Sequence, residues 1–294
     1  MNVQKLAILS VAILGSVYAE TAAPLLVDVN WLSSHLNDRD LVILHVGQKA
    51  DYETNHIPGA RFISLEDVAK PMQHKDPMEI MLELPTAEEL RTKLGTTFGI
   101  SDNSRIIVYF SSKQAFQSST RVVFTMDYLG LGDRTSLLNG GLPAWTAAGK
   151  PLAATVAAVT PGKISARPTK NVVADADIVK SVSQHGNQKL VDGRAPVFYK
   201  GIEATYEKKG HIPGAVNIPF SEILDSGAMF DRDRVEKLFT DAGIKQGDSI
   251  VAYCHIGQQA TAVIFAARVL GHLVMLYDGS FEDWAKNSRG PVEK

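Results

Sequence analysis

One cysteine, Cys254, is all that this 294-residue chain carries, so no intramolecular disulfide can form. Charge of one sign is also lacking. Lysine and arginine number 30 against 32 aspartates and glutamates, giving a net charge of −2, and no basic run occurs. That balance excludes a nucleic-acid-binding surface of the usual kind and gives no attraction to an anionic membrane. The eight histidines show no metal-ligand spacing, and that with a lone cysteine argues against a zinc site. No glycine-rich phosphate loop is present. No cofactor is called for.

The apolar stretch at 6–17 is too short to span a bilayer. It follows a single lysine, Lys5, and ends in Val17-Tyr18-Ala19, which fits a small-x-small cleavage site. Residues 1–19 are therefore read as a signal peptide and the mature protein as exported, periplasmic or secreted, with no stable membrane association after cleavage. An odd cysteine in an exported protein is an inert buried residue, an intermolecular partner or a reactive thiol. Its surroundings decide which.

What is there is a repeat. His-Ile-Pro-Gly-Ala occurs at 56–60 and again at 211–215, a spacing of 211 − 56 = 155. An apolar strand precedes each copy (Leu41-Val42-Ile43-Leu44; Lys189-Leu190-Val191) and a β-rich run follows later (Ile106-Ile107-Val108-Tyr109; Ile250-Val251-Ala252-Tyr253). Each half then shows a loop, a helical pattern ending in Leu-Gly, a short strand meeting glycine, and a tryptophan, Trp145 or Trp284. Strands alternating with helices predict an α/β fold with a parallel sheet in each half. Thr86 to Glu89 reads as a capping box, and a matching helix is expected over 231–242. The Ala/Thr/Pro-rich stretch at 151–170 reads as a surface linker between a domain at 25–150 and one at 171–290.

The halves differ at one place. Only in the second does the strand ending in Tyr253 run into a cysteine, Cys254, followed by His255-Ile256-Gly257-Gln258-Gln259 and a helix from Ala260. A strand, tight loop and helix put Cys254 where unpaired N–H groups and the positive helix end favour an anion. Gly257 lets the loop curl. A cysteine so placed is expected to have a depressed pKa and to be a thiolate near neutral pH.

These features resemble the two-domain rhodanese family, with which the likeness runs from about Leu25 to Trp284. It rests on the doubled pentapeptide, Val191-Asp192-Gly193-Arg194, the Tyr253-Cys254 loop, and Tyr277-Asp278-Gly279-Ser280. The resemblance implies two tandem domains, the first without a catalytic cysteine and the second catalytic. It implies covalent transfer of sulfane sulfur as a persulfide on Cys254. The N–H groups of His255, Ile256, Gly257, Gln258 and Gln259 would steady the sulfur anion. The Ser280 hydroxyl would donate to the persulfide, and Asp192 and Arg194 would frame the site, unless they form a purely structural ion pair. The partners implied are a small sulfur donor and a thiophilic acceptor such as cyanide, with a protein thiol as a further acceptor.

The donor is less directly marked. Thiosulfate-using members carry Arg and Lys after the cysteine; mercaptopyruvate-using members carry Gly-Ser-Gly, with a serine–histidine–aspartate triad. Here the loop is His255-Ile256-Gly257, the triad aspartate position is His45, and only His56 survives. The family's anion-binding arginine is replaced by Val197 or Phe198, leaving Lys200, Lys208, Lys209 or protonated His255 to supply charge. Thiosulfate is favoured as donor, with 3-mercaptopyruvate and a carrier role toward a partner protein as alternatives. A Cys-x5-Arg phosphatase is excluded because the arginine position is Ala260. His56 and His211 are expected to hold their turns. The second half carries about eight extra residues at 199–209, expected at the site mouth.

Overall fold

The computed structural model of the protein describes residues 23–72, 79–286 and 290–294; the predicted signal segment at 1–19 lies outside them. The first half runs β1 (Leu26–Val27), α1 (Val29–His35), β2 (Leu41–Val46), α2 (Lys49–Thr54), β3 (Ala60–Ile63), α3 (Ala87–Phe98), β4 (Arg105–Phe110), α4 (Phe116–Tyr128), β5 (Thr135–Leu138) and α5 (Gly141–Ala147). The second half repeats it as β6 (Val173–Ala174), α6 (Ala176–His185), β7 (Lys189–Asp192), α7 (Pro196–Tyr199), β8 (Val216–Asn217), α8 (Arg232–Asp241), β9 (Ile250–Tyr253), α9 (Ala260–Val269), β10 (Val274–Tyr277) and α10 (Ser280–Lys286). The strand orders are β1-β5-β4-β2-β3 and β6-β10-β9-β7-β8, the same order shifted by five, and every pairing is parallel. Central strands of a parallel sheet are covered on both faces, which is why Ile250-Val251-Ala252-Tyr253 is apolar without alternation. The Thr86–Glu89 capping box forms as the sequence predicts, and Asp231 caps α8 through the N–H of Arg234.

The doubled pentapeptide builds the same circuit twice. His56 Nδ1 meets the Tyr52 carbonyl at 2.6 Å and stacks on the Tyr52 ring, whose hydroxyl donates to the Ala60 carbonyl. His211 Nδ1 meets the Tyr199 carbonyl at 2.9 Å and stacks on the Tyr199 ring, whose hydroxyl donates to Ala215. Both histidines therefore hold turns. The 151–170 stretch is fastened along the first domain. Ala153 pairs with His56, the Gly162 N–H donates to Gly95, and the Asp102 carboxylate accepts the N–H groups of Ser165 and Ala166.

The halves meet through α4 and α9. Thr120 and Thr261 share a hydroxyl hydrogen bond of 2.9 Å at the centre of this contact, and Phe116 meets Phe265 edge to face. Arg268 pairs with Asp127 across it at 3.2 Å. One apolar core runs through both halves, joining Val108 and Phe124 to Ala252 and Phe265.

Superposing the repeat explains why one half lacks the nucleophile. Phe110 follows Tyr109 as Cys254 follows Tyr253, and Gly141 stands where the second half has Ser280. Both latter residues take a left-handed backbone, with φ of 56° and 53°. A Cβ at Gly141 would lie 2.5 Å from the Phe110 ring. The ring fills the cysteine's place and the glycine makes room for it. Phe110→Cys should lose about 3 kcal/mol of stability by leaving a void. Gly141→Ser alone should lose about 1–3 kcal/mol by overpacking. The double variant should be more stable than the sum predicts by about 1 kcal/mol or more, read from urea unfolding midpoints.

Candidate active site

The site forms at the carboxyl ends of β7, β9 and β10, where loops converge in an open parallel sheet. Cys254 follows β9 directly and has no exposed surface. The backbone N–H groups of Ala260, Ile256, Gln259 and Gly257 face its sulfur and favour the charged form. Gly257 has φ of +81°, and a side chain there would meet the Asp278 carbonyl at 2.5 Å, so only glycine fits. From below, the Cys254 N–H donates to Ser280 Oγ at 3.1 Å, and the first turn of α10 binds the carbonyls of Cys254 and His255 through the N–H groups of Phe281 and Glu282.

Asp192 and Arg194 form a buried ion pair. Arg194 Nη2 lies 2.6 Å from Asp192 Oδ2 and 2.7 Å from the Gly210 carbonyl, and Nε is 3.0 Å from both carboxylate oxygens. The guanidinium lies 3.9 Å over the Phe281 ring. Burial works against its charge, but the Asp192 hydrogen bonds and carboxylate hold the Arg194 pKa above its ordinary value. The pair is thus committed to itself and to the floor of the site; removing either partner alone leaves an uncompensated buried charge.

Three expectations are corrected. First, the Cys254 thiol is not depressed. Burial pushes its pKa up, and the N–H groups of Ala260, Ile256, Gln259 and Gly257 offset only part of that. Second, the Ser280 hydroxyl donates to the Tyr277 carbonyl at 2.9 Å and accepts from Cys254 N–H, so its proton is spent on the turn and not aimed at sulfur. Third, His255 is neutral at pH 7. Burial first, and the nearby Arg194 charge second, lower its pKa to about 4. It therefore brings no positive charge for an anionic donor.

The loop residues divide. Ile256, Gly257 and Gln259 turn their N–H groups to the sulfur. His255 points its ring to Phe198 at 4.7 Å and Thr205 Oγ1 at 3.2 Å. Gln258 reaches across to Ser118 Oγ at 2.8 Å. Ala260 supplies a donor that the sequence reading assigned only to the helix. Phe198 occupies the mouth where an anion-binding arginine was sought, and the Lys208 ammonium is tied to the Gly290 carbonyl at 2.8 Å. Thr205 and Tyr206 of the extra segment both touch His255, which places that segment beside the mouth. His45 sits in β2 opposite Tyr109, as Asp192 sits opposite Tyr253. It is bonded to the Tyr109 hydroxyl, and burial lowers its pKa to about 4, so it offers no carboxylate-like charge. Among the described residues no cluster of three or more metal-ligating side chains occurs.

A fully buried cysteine held by converging backbone donors, in one of two tandem parallel α/β domains, defines a class of covalent thiol enzymes. A rhodanese-like domain model matches residues 28–148 and 175–287. A Pseudomonas aeruginosa protein described as a probable 3-mercaptopyruvate sulfurtransferase is 31% identical over 89% of this chain and 95% of its own. The thiosulfate sulfurtransferase of Azotobacter vinelandii is 28% identical over 92% and 97%, and the sulfur carrier protein TtuD of Thermus thermophilus 29% identical over 92% and 96%. The crystal structure of SseA from Escherichia coli, a 3-mercaptopyruvate enzyme of rhodanese fold, superposes with a TM-score of 0.75 at 25% identity, covering 88% of this chain and 99% of that one. The chain belongs to the rhodanese family of sulfurtransferases.

Because burial pushes the Cys254 pKa up and the surrounding N–H groups offset only part of that, the neutral thiol predominates at pH 7. Alkylation of Cys254 by iodoacetamide should keep rising as pH is raised above 7, with a midpoint higher than that of a free cysteine measured alongside. A plateau already reached at pH 7 would show a depressed pKa instead.

Proposed function

We propose that the protein moves sulfane sulfur to a thiophilic acceptor such as cyanide through a persulfide on Cys254. Thiosulfate and 3-mercaptopyruvate stand level as donors, since relatives named for each match over nearly their whole length. The observation that carries this reading is the convergence of four N–H groups on a cysteine with no exposed surface. The thiolate of Cys254 attacks the outer sulfur of the donor. The S–S bond to cysteine forms as the donor's own bond breaks, releasing sulfite from thiosulfate or the pyruvate carbanion equivalent, protonated by water, from mercaptopyruvate. Cyanide then attacks the terminal sulfur, forming thiocyanate and returning the thiolate. A persulfide is a stronger acid than a thiol, so the charge that burial disfavours on Cys254 is easier to hold once sulfur is loaded. Ile256, Gly257, Gln259 and Ala260 serve that anion as an oxyanion hole serves oxygen. Asp192 and Arg194 keep the floor rigid, and Ser280 fixes the backbone of Cys254.

Transfer to a protein thiol is a second reading. It draws support from the neutral aromatic mouth of Phe198, His255 and Tyr206, which suits a docked chain better than a free sulfonate. Export to a periplasmic or outer compartment is proposed from the pattern of residues 1–19; a mature chain that begins at Glu20 in amino-terminal sequencing of the expressed protein would bear it out, and one that begins at Met1 would refute it.

The deciding measurement is intact mass after brief exposure to thiosulfate or 3-mercaptopyruvate, with Cys254→Ser alongside. The wild type should gain one sulfur atom, which cyanide removes, and the variant none. Gain with one donor only selects that donor. No gain with either sinks small-donor transfer and leaves the partner-fed carrier.

A further inference from the structure

We infer that Arg121, in the cysteine-free first domain, is a positioning residue for the catalytic loop. It lies in α4 with no exposed surface. One guanidinium nitrogen is 2.6 Å from Asp278 Oδ1 and 3.5 Å from the Gly257 carbonyl; the other is 2.6 Å from the Leu82 carbonyl. Asp278 precedes the turn to Ser280, which binds the Cys254 N–H, and its second oxygen accepts the Leu84 N–H at 2.6 Å. Gly257 is the left-handed residue whose N–H faces the sulfur. Arg121 thus ties together the two loops that make the cradle, and anchors both to the first domain. Holding the Gly257 carbonyl outward keeps the loop curled with its neighbouring N–H groups inward.

The internal repeat shows that this is no general need of the domain contact. Thr120 pairs with Thr261, so the place of Arg121 in α9 is taken by Ala262. The place of Asp278 is taken by Asn139, which exchanges two hydrogen bonds with the Phe230 backbone, at 3.2 and 2.8 Å. The equivalent contact is therefore closed without a buried charge where no cysteine is served. The arginine is present only on the side that holds the nucleophile.

This assignment presupposes that Cys254 does the chemistry, but its test needs no sulfur donor. Iodoacetamide alkylation of Cys254 is followed from pH 7 to 10 in wild type, Arg121→Met, Arg121→Lys and Asn139→Ala, beside thermal unfolding. Of the charged and titratable groups near the site, Asp192, Arg194, Tyr206, Glu282, His255 and Asp278 are unchanged in all four, and the cation at 121 is lost only in Arg121→Met and kept in Arg121→Lys, so a loss of charge alone would be fully recovered by lysine. Arg121→Met should move the midpoint upward and slow alkylation at pH 8 by about tenfold, because donors are lost from their places. Arg121→Lys should recover part of this. Asn139→Ala should lower the melting temperature and leave the profile unmoved. A profile for Arg121→Met that is unmoved, shifted downward, or shifted no further than that of Asn139→Ala overturns the assignment. Should Arg121→Met not fold, Asp278→Asn replaces it. The same upward shift, smaller in size, supports the assignment, and an unmoved profile overturns it.

Discussion

A thiol with no exposed surface has no water to solvate its anion, so every donor must come from the fold. That single constraint accounts for most of what surrounds Cys254. Four amides aimed at one atom require a tight turn between β9 and α9, and that turn requires a residue at φ +81° with no Cβ. The turn in turn needs a wall, which is the Asp278 carbonyl. The cysteine's own N–H, left over by the curl, is taken by Ser280. Beneath, the Asp192–Arg194 pair and the Phe281 ring fill space that would otherwise let the loop sag. The cradle does not abolish the cost of burial; it limits it, and the resting thiol stays largely protonated as a result.

The second organising feature is the helix pair α4 and α9 between two sheets. Each helix is enclosed on nearly all sides, which is unusual for α4, whose sequence is half polar. Its polar side chains are matched individually: Thr120 to Thr261, Asp127 to Arg268, Arg121 to Asp278 and Leu82. Buried polar groups with fixed partners specify one arrangement where apolar contact alone would allow sliding. The domain contact is therefore a continuation of the core.

Much of this was legible in the sequence. The doubled pentapeptide revealed two equivalent units because its proline, glycine and histidine each do one local job, repeated with the same tyrosine stacking. The apolar run ending at Tyr253 and the helix pattern from Ala260 bracketed the nucleophile, and Phe198 was already suspect as a replaced cation. The sign of the cysteine's pKa was not legible. Helix position is a sequence property, but burial is set by segments far away, such as the extra loop carrying Tyr206. Nor was the Ser280 proton, whose destination depends on a turn geometry that no spacing encodes. Arg121 was missed although a clue existed: a lone charge before Val122-Val123-Phe124 in a helix that had to be enclosed.

The exchange of Phe110 and Gly141 for Cys254 and Ser280 has a bearing on how the two copies can be interchanged. Two copies of one unit now differ at a pair of touching positions, and neither position tolerates going back by itself. A lone cysteine opens a hole, and a lone serine collides with a ring. Converting either copy into the other one substitution at a time therefore passes through a weakened protein. Each copy is thereby held to its own task, the second to the thiol and the first to bracing it.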